Sequence, residues 1–425
     1  MRAPLLVALA VVETLTCTGV FFGFAFVGNA LKRDGYRACA DDGPCNSQTL
    51  RLQAIYAVGT TAMPVAFVLT GRALDAFGSQ LTRALGAVLF AAGAALAAAS
   101  AHGSFDAFLP AAAVTGLGAA PFFLSHFVIA EHTEHHGTVH ALLNCAFDSS
   151  TAVFLLFDLV HLHFGVSLAA CFAALAGLAL VYAILSTDKV WAHYLKQPAG
   201  AAATTAAASS PLAKPPPKYG AALDVSHLPF PKQLRTPHFA FVAAWGLFTV
   251  WRTCFVLGSI KEQLRMNAGG RTEAQAQDLS QIFGTLILVS AAVTPFFGML
   301  VDRIGLAAGF AIVNGLGILS YALLLCQDRA LLLLGFVLFG CFRGANYTLM
   351  TTYVQGIFGP ASFGRVYGEA LGVLFVIAAG LVYPVAYLVA AAGWRDYAPV
   401  NVACIALSGL FFAFPSWLFA KRAPV

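Results

Sequence analysis

Charge is what this sequence has least of. Asp, Glu, Lys and Arg make up 10% of its 425 residues, where an ordinary soluble domain carries about a quarter. So few charges cannot cover the water-facing surface of a chain this long, which excludes a soluble globular protein. The formal net charge is only +5, so there is no dense basic face for a nucleic-acid polymer. Alternation of apolar and polar residues over ~10-residue stretches is missing as well, and with it the signature of a membrane β-barrel. Low-complexity polar sequence is confined to Pro198–Lys218, with Pro215, Pro216 and Pro217 in a row. It has too little bulky apolar surface to fold alone.

What is present is apolar sequence, 59% of the chain, in unbroken runs of about helix length. Runs of ~20 residues match the hydrocarbon thickness of a bilayer. They fall at 4–28, 51–70, 80–100, 107–130, 140–161 and 166–186, then at 238–258, 278–297, 306–326, 330–353, 366–391 and 398–420. The expected fold is therefore an all-α polytopic membrane protein with twelve transmembrane helices. It is organised as a six-helix bundle over 1–186, a partly disordered cytoplasmic linker over 187–236 and a second six-helix bundle over 237–425. Met1-Arg2 before an apolar stretch imitates a secretory signal. The stretch is long enough to span, and is read as an uncleaved first helix.

Placing the N-terminus in the cytoplasm assigns more Lys and Arg to cytoplasmic loops, among them Arg72, Arg83, Lys189, Lys232, Arg303 and Arg365, than to the opposite side, as the positive-inside rule requires. Both termini are then cytoplasmic. Seven of the nine cysteines lie in apolar runs and read as small packing residues. Cys39 and Cys45 share one polar loop on the extracytoplasmic side, where a disulfide and a free pair remain equally open.

An internal repeat supports the two-bundle picture. Gly71-Arg72-Ala73-Leu74-Asp75-Ala76-Phe77-Gly78 follows helix 2, and Gly298-Met299-Leu300-Val301-Asp302-Arg303-Ile304-Gly305 follows helix 8. Both read G-x-x-x-D-x-x-G. The glycines permit a tight turn and close helix approach, and the carboxylate can face a helix N-terminus or a basic partner.

This duplicated hairpin resembles the signature loop of the major facilitator superfamily, although Ala76 replaces the usual basic residue and neither copy ends in a basic pair. Further segments carry a narrower resemblance: Glu13-Thr14-Leu15-Thr16-Cys17-Thr18-Gly19 in helix 1, Asn144-Cys145-Ala146-Phe147-Asp148-Ser149-Ser150 in helix 5, Phe342-Arg343-Gly344-Ala345-Asn346-Tyr347 in helix 10 and Phe363-Gly364-Arg365-Val366-Tyr367-Gly368. They are similar to the branch containing the equilibrative nucleobase transporter and the system-L-type carriers of large neutral amino acids. The resemblance implies sodium-independent facilitated diffusion of a small organic solute by a protein without a cofactor. It also points to a plasma-membrane location; the chain is expected to be a monomer with only its substrate and the lipid bilayer as partners.

Ionisable groups inside spans are costly and mark candidate sites. Asp148 lies eight residues into helix 5, or ~12 Å, close to the midplane where transporters hold their substrates. With Asn144, Ser149 and Ser150 it offers acceptors and hydroxyls to a nucleobase edge or an ammonium group; interhelical packing is the alternative role. Glu13 has similar depth, as a substrate contact, a proton carrier in a coupled symporter or a structural carboxyl. Arg343, with Asn346 one turn on, and Arg252 each require an acceptor; Asp148 and Glu13 are candidates for Arg343. The hairpin residues Gly71, Arg72, Asp75 and Gly78, with Gly298, Asp302, Arg303 and Gly305, are expected to gate. His132, His135, His136 and His140 beside Glu131 and Glu134 read as a solvated loop rather than a metal site, since no H-E-x-x-H is present.

Overall fold

The computed structural model describes residues 3–37, 46–103, 105–186, 224–266, 271–391 and 396–421, and these contain helices and turns without strands. Cys39, Cys45 and most of the linker lie outside the described residues.

The apolar runs become helices, several of them broken. α1 consists of Ala3–Cys17 and Phe24–Arg33 joined through a 3₁₀ turn at Val20–Gly23, and its arms bend by 47°. The helix Asn46–Ala101 divides at Gly78 into α2 (46–77) and α3 (79–101). α4 is Phe108–His126, α5 is His136–Ser149 continued by Thr151–Phe164, and α6 is Leu168–Ser186. α7 is Pro237–Met266, and α8 consists of Glu273–Ala291 and Thr294–Ile304 with a 46° bend. α9 is Leu306–Leu324 and α10 is Arg329–Phe358. α11 passes through a π-helical turn, Gly364–Ala370, into Leu371–Ala391, and α12 comprises Ala398–Leu410 and Ala413–Lys421. Each expected span thus has a helical counterpart. Leu69, Ile184 and Leu410 remain 67%, 70% and 71% exposed, a distribution of large apolar groups suited to hydrocarbon rather than water.

The ends of these helices follow local chemistry. Thr272 and Gln275 close a capping box at the start of α8, and the Asp328 carboxylate accepts from Leu331 N at the start of α10. The two G-x-x-x-D-x-x-G copies turn in the same way at their last residue. Gly78 has φ 78°, ψ 168° and Gly305 has φ 82°, ψ 171°, angles that residues with a Cβ rarely adopt.

The chain divides into two compact units. The first holds the described residues up to Glu134 and those from Ala146 to Ser186; the second holds His135–Cys145 and the described residues from Asp224 on. Within the second unit, part of the segment read as linker is ordered. Val225 N donates to Ile357 O, and buried Gln233 donates to Leu228 O and Ser362 Oγ.

Candidate functional site

In the first unit the break in α1 packs against α5. A Cβ on Gly19 would lie 2.5 Å from Ser150 Oγ, and one on Gly23 would collide with the Thr151 backbone, so only glycine lets the chains approach this closely. Phe22 meets Phe147 edge-on at 5.6 Å, and Phe147 stacks on Phe123 at 4.7 Å. This crossing positions Asp148, whose side chain is 8% exposed; its carbonyl accepts from Thr151 Oγ1. Ser149 precedes the break and is half-buried. Broken helices that bring backbone groups and a carboxylate together at membrane depth are the construction in which transporters place their sites.

Glu13 belongs to a different cluster. It is 0% exposed, with both carboxylate oxygens taken: Oε2 accepts from Arg83 Nε at 3.0 Å and lies 2.8 Å from His126 Nε2, while Oε1 accepts from Arg83 Nη2. Arg83 Nη1 donates to Ser186 Oγ, and His126 Nδ1 is 3.0 Å from Thr14 Oγ1. The guanidinium sits 5.7 Å from the Phe122 ring centroid. Arg83 is therefore not a cytoplasmic loop charge, as its position near a hairpin suggested, but a fully buried partner on α3. Depth within the run 80–100 was the available signal for it, and His126 within 107–130 carried the same one.

At the end of the first unit that holds the α1 C-terminus, Arg33 pairs with Asp158, and Arg37 and Arg51 pair with Asp106 at 2.7 and 3.3 Å. Burial alone would raise the Asp106 carboxyl. The hydrogen bonds from Arg37 and Tyr36 and the two guanidinium charges outweigh it and hold the group below its ordinary value. Arg33, Arg37 and Arg51 are thus neutralised locally.

In the second unit Asn144 Nδ2 donates to His140 O at 2.8 Å. His140 is 0% exposed, and its Nδ1 lies 2.9 Å from Thr352 Oγ1, which corrects its reading as part of a solvated loop. Exposed His135 fits that reading. Among the described residues no three His, Cys, Asp or Glu side chains converge as a metal site would require. Arg343 on α10 is 8% exposed and Asn346 is 1% exposed. Asn346 Oδ1 accepts from Trp245 Nε1 at 2.7 Å. α10 receives the bend of α8 at Gly340 and Gly344, which abut Ser290 and Thr294.

The second hairpin is well defined within its unit. Asp302 Oδ1 accepts from Gly137 N, and Oδ2 accepts from Thr138 N and Thr138 Oγ1, at 2.7 to 2.9 Å. The carboxylate thus caps the N-terminus of α5, where the backbone N–H groups are unpaired and the helix dipole favours negative charge. Gly298 packs on Ala141 and Gly137. Arg303 is exposed and Gly305 makes the turn. In the first copy Gly71 and Gly78 are buried, Asp75 is half-buried and Arg72 is exposed. A cavity of about 20 Å³ in the first unit, lined by Val20, Phe21, Ile55, Ala97, Phe108 and Leu175, is apolar and has room for one water at most; it is not a substrate site.

Broken apolar helices, buried ionic groups and a repeated hairpin define a polytopic membrane transporter. Residues 46–368 match the Major Facilitator Superfamily, and the chain belongs to that family. Protein FMP42 of Saccharomyces cerevisiae is 24% identical, with 85% of this chain and 84% of the yeast protein aligned. Among solved structures, the human organic anion transporter MFSD10 (TETRAN) is 16% identical at TM-score 0.64, covering 98% of this chain and 99% of that one. The E. coli fucose:proton symporter FucP is 15% identical at TM-score 0.62, covering 97% and 98%. These structural likenesses establish the fold.

Proposed function

We propose that this transporter moves a small organic solute, a nucleobase or a large neutral amino acid, by alternating access and as a uniporter driven by the substrate gradient. The observation that carries the reading is the crossing of the broken α1 with α5, where Gly19 abuts Phe147 and Ser150, the residues on either side of buried Asp148 and of Ser149 near the break in α5. A carboxylate there suits the N–H edge of a base or an ammonium group. The sequence resemblance to the nucleobase and system-L branch supplies the two substrate classes. Saturable uptake of one class into proteoliposomes, reduced at least about tenfold by Asp148→Asn, tests it, since a charge-assisted contact contributes about 1.5–3 kcal/mol. Uptake of neither class sinks it.

Proton-coupled symport is a second reading, favoured by one contact: Glu13 and His126 share a buried hydrogen bond of 2.8 Å. It requires uptake that follows an imposed proton gradient, and indifference to that gradient rejects it. Glu13 serves in either case as a buried partner of Arg83 rather than as a group facing open space.

A further inference from the structure

The arm of α1 that follows its break, Phe24–Arg33, has a joint at one end, an unfilled space beside the joint and a fastening at the other end. The joint is the 3₁₀ turn Val20–Gly23, where the helix bends by 47°. The space is the apolar cavity of about 20 Å³, lined by Val20 and Phe21 from the joint, Phe24 from the arm and Phe154 from α5. Side chains along an unfilled space forgo the contacts that would lock them. The fastening is two ion pairs of opposite polarity on consecutive residues. Arg33 pairs with Asp158 on α5. Asp34 pairs with His161, one turn further along α5, and its Oδ1 lies 2.8 Å from His161 Nε2.

The two pairs differ in their dependence on protons. A guanidinium is not deprotonated in a protein. The imidazole of His161 has an acceptor on each side, the Asp34 carboxylate at Nε2 and the Val166 carbonyl 2.9 Å from Nδ1. A neutral ring carries one N–H and can serve only one of them; serving both takes the imidazolium. Gly165, with φ 65°, ends α5 and turns Val166 O back onto the ring. His161 also stands in the last turn of α5, where the helix dipole favours positive charge. The charged and titratable groups around the ring are Arg33 and Asp34 from the end of α1, Asp158 on α5 and exposed His163 two residues on. A lone exposed pair contributes little. Here the Asp158 and His161 side chains are only 15% and 18% exposed, and both pairs hold the same arm. Asp34, at 44% exposed, gives the bulk solution access to the proton.

We propose that His161 is a proton-operated catch: protonated, it fastens the Phe24–Arg33 arm of α1 to α5, and as it loses its proton with rising pH the arm is freed to move about the 3₁₀ joint and the transport cycle quickens. The catch is separate from proton-coupled symport, since its proton stays on one end of one unit and accompanies no solute. Its effect on the cycle rests on the transporter reading above; the catch itself does not.

Hydrogen exchange in the full-length detergent-purified protein tests the catch, read as protection factors of the backbone amides of residues 29–36 at about pH 5.5 and about pH 8, near the two ends of the range in which histidine changes its charge. Wild-type protection falls at least about threefold from the acid to the alkaline condition. His161→Lys, charged at both, holds protection level. His161→Gln, charged at neither, starts at the lower value and stays there, while Arg33→Gln loosens the arm by the same factor at both. Equal wild-type protection at the two pH values, or a fall that persists in either His161 variant, overturns the proposal. Counterflow with the same pH on both sides of the proteoliposome reads the effect on the cycle: the wild type runs at least about twofold faster at the alkaline pH and both His161 variants show no such change. A wild-type rate indifferent to pH also overturns it. Absence of any counterflow beside pH-dependent protection removes the transporter reading and leaves the catch standing.

Discussion

Glu13 and Arg83 show how a charge is kept inside an apolar bundle. Each fully satisfies the other, with His126 and Ser186 taking the remaining bonds. Removing one partner strands the other, which typically costs about 3–5 kcal/mol. Arg83→Met should therefore lower the melting temperature sharply, and Glu13→Gln combined with Arg83→Met should recover much of the loss; an additive double variant would contradict the pairing. Asp106 works at the surface, where the signs can be followed through pH. Its folded pKa is depressed, so its contribution is present above the ordinary carboxylate value of about 4 and fades as pH falls through the lower folded one. Asp106→Asn should melt below the wild type at pH 7, and the two curves should converge in acid. Depth in an apolar run made Glu13, Asp148, Arg252 and Arg343 legible as sequence. Their partners were not, because Glu13 and Arg83 meet only when α1 packs on α3. Arg252 went further astray: its neighbours are aromatic faces and a serine rather than an acid.

At the scale of the helix, apolar length made the spans readable, while the breaks were not. Nothing in the composition of 3–33 announces a 47° bend; the close approach of Gly19 and Gly23 to α5 accounts for it only once both helices are present. Gly19→Val should destabilise the protein by about 1–3 kcal/mol through overpacking, measured as a fall in melting temperature. Gly177→Ala, where nothing lies within 4 Å of the added carbon, serves as the control and should be neutral or better. The repeated hairpin was legible as a motif, and its chemistry offered a helix N-terminus or a basic partner to the carboxylate. Asp302 takes the first of these. Asp302→Ala should cost about 0.5–2 kcal/mol as a lost cap, and Asp302→Asn, which keeps an acceptor, should cost less.

For the whole molecule, scarcity of charge excluded water as the solvent, and the repeat at corresponding hairpins gave the two-unit plan. Family membership carries that plan to a membrane transporter. The substrate is the part least visible in sequence, since it depends on which of several buried polar groups face the solute. The most direct measurement is counterflow: proteoliposomes preloaded with unlabelled solute and diluted into tracer, across nucleobases and large neutral amino acids. An alternating-access carrier predicts saturable tracer entry that overshoots equilibrium only when the lumen holds the same substrate class, with no imposed ion gradient. Tracer entry indifferent to the preload, or none for any solute of the two classes, would contradict the account.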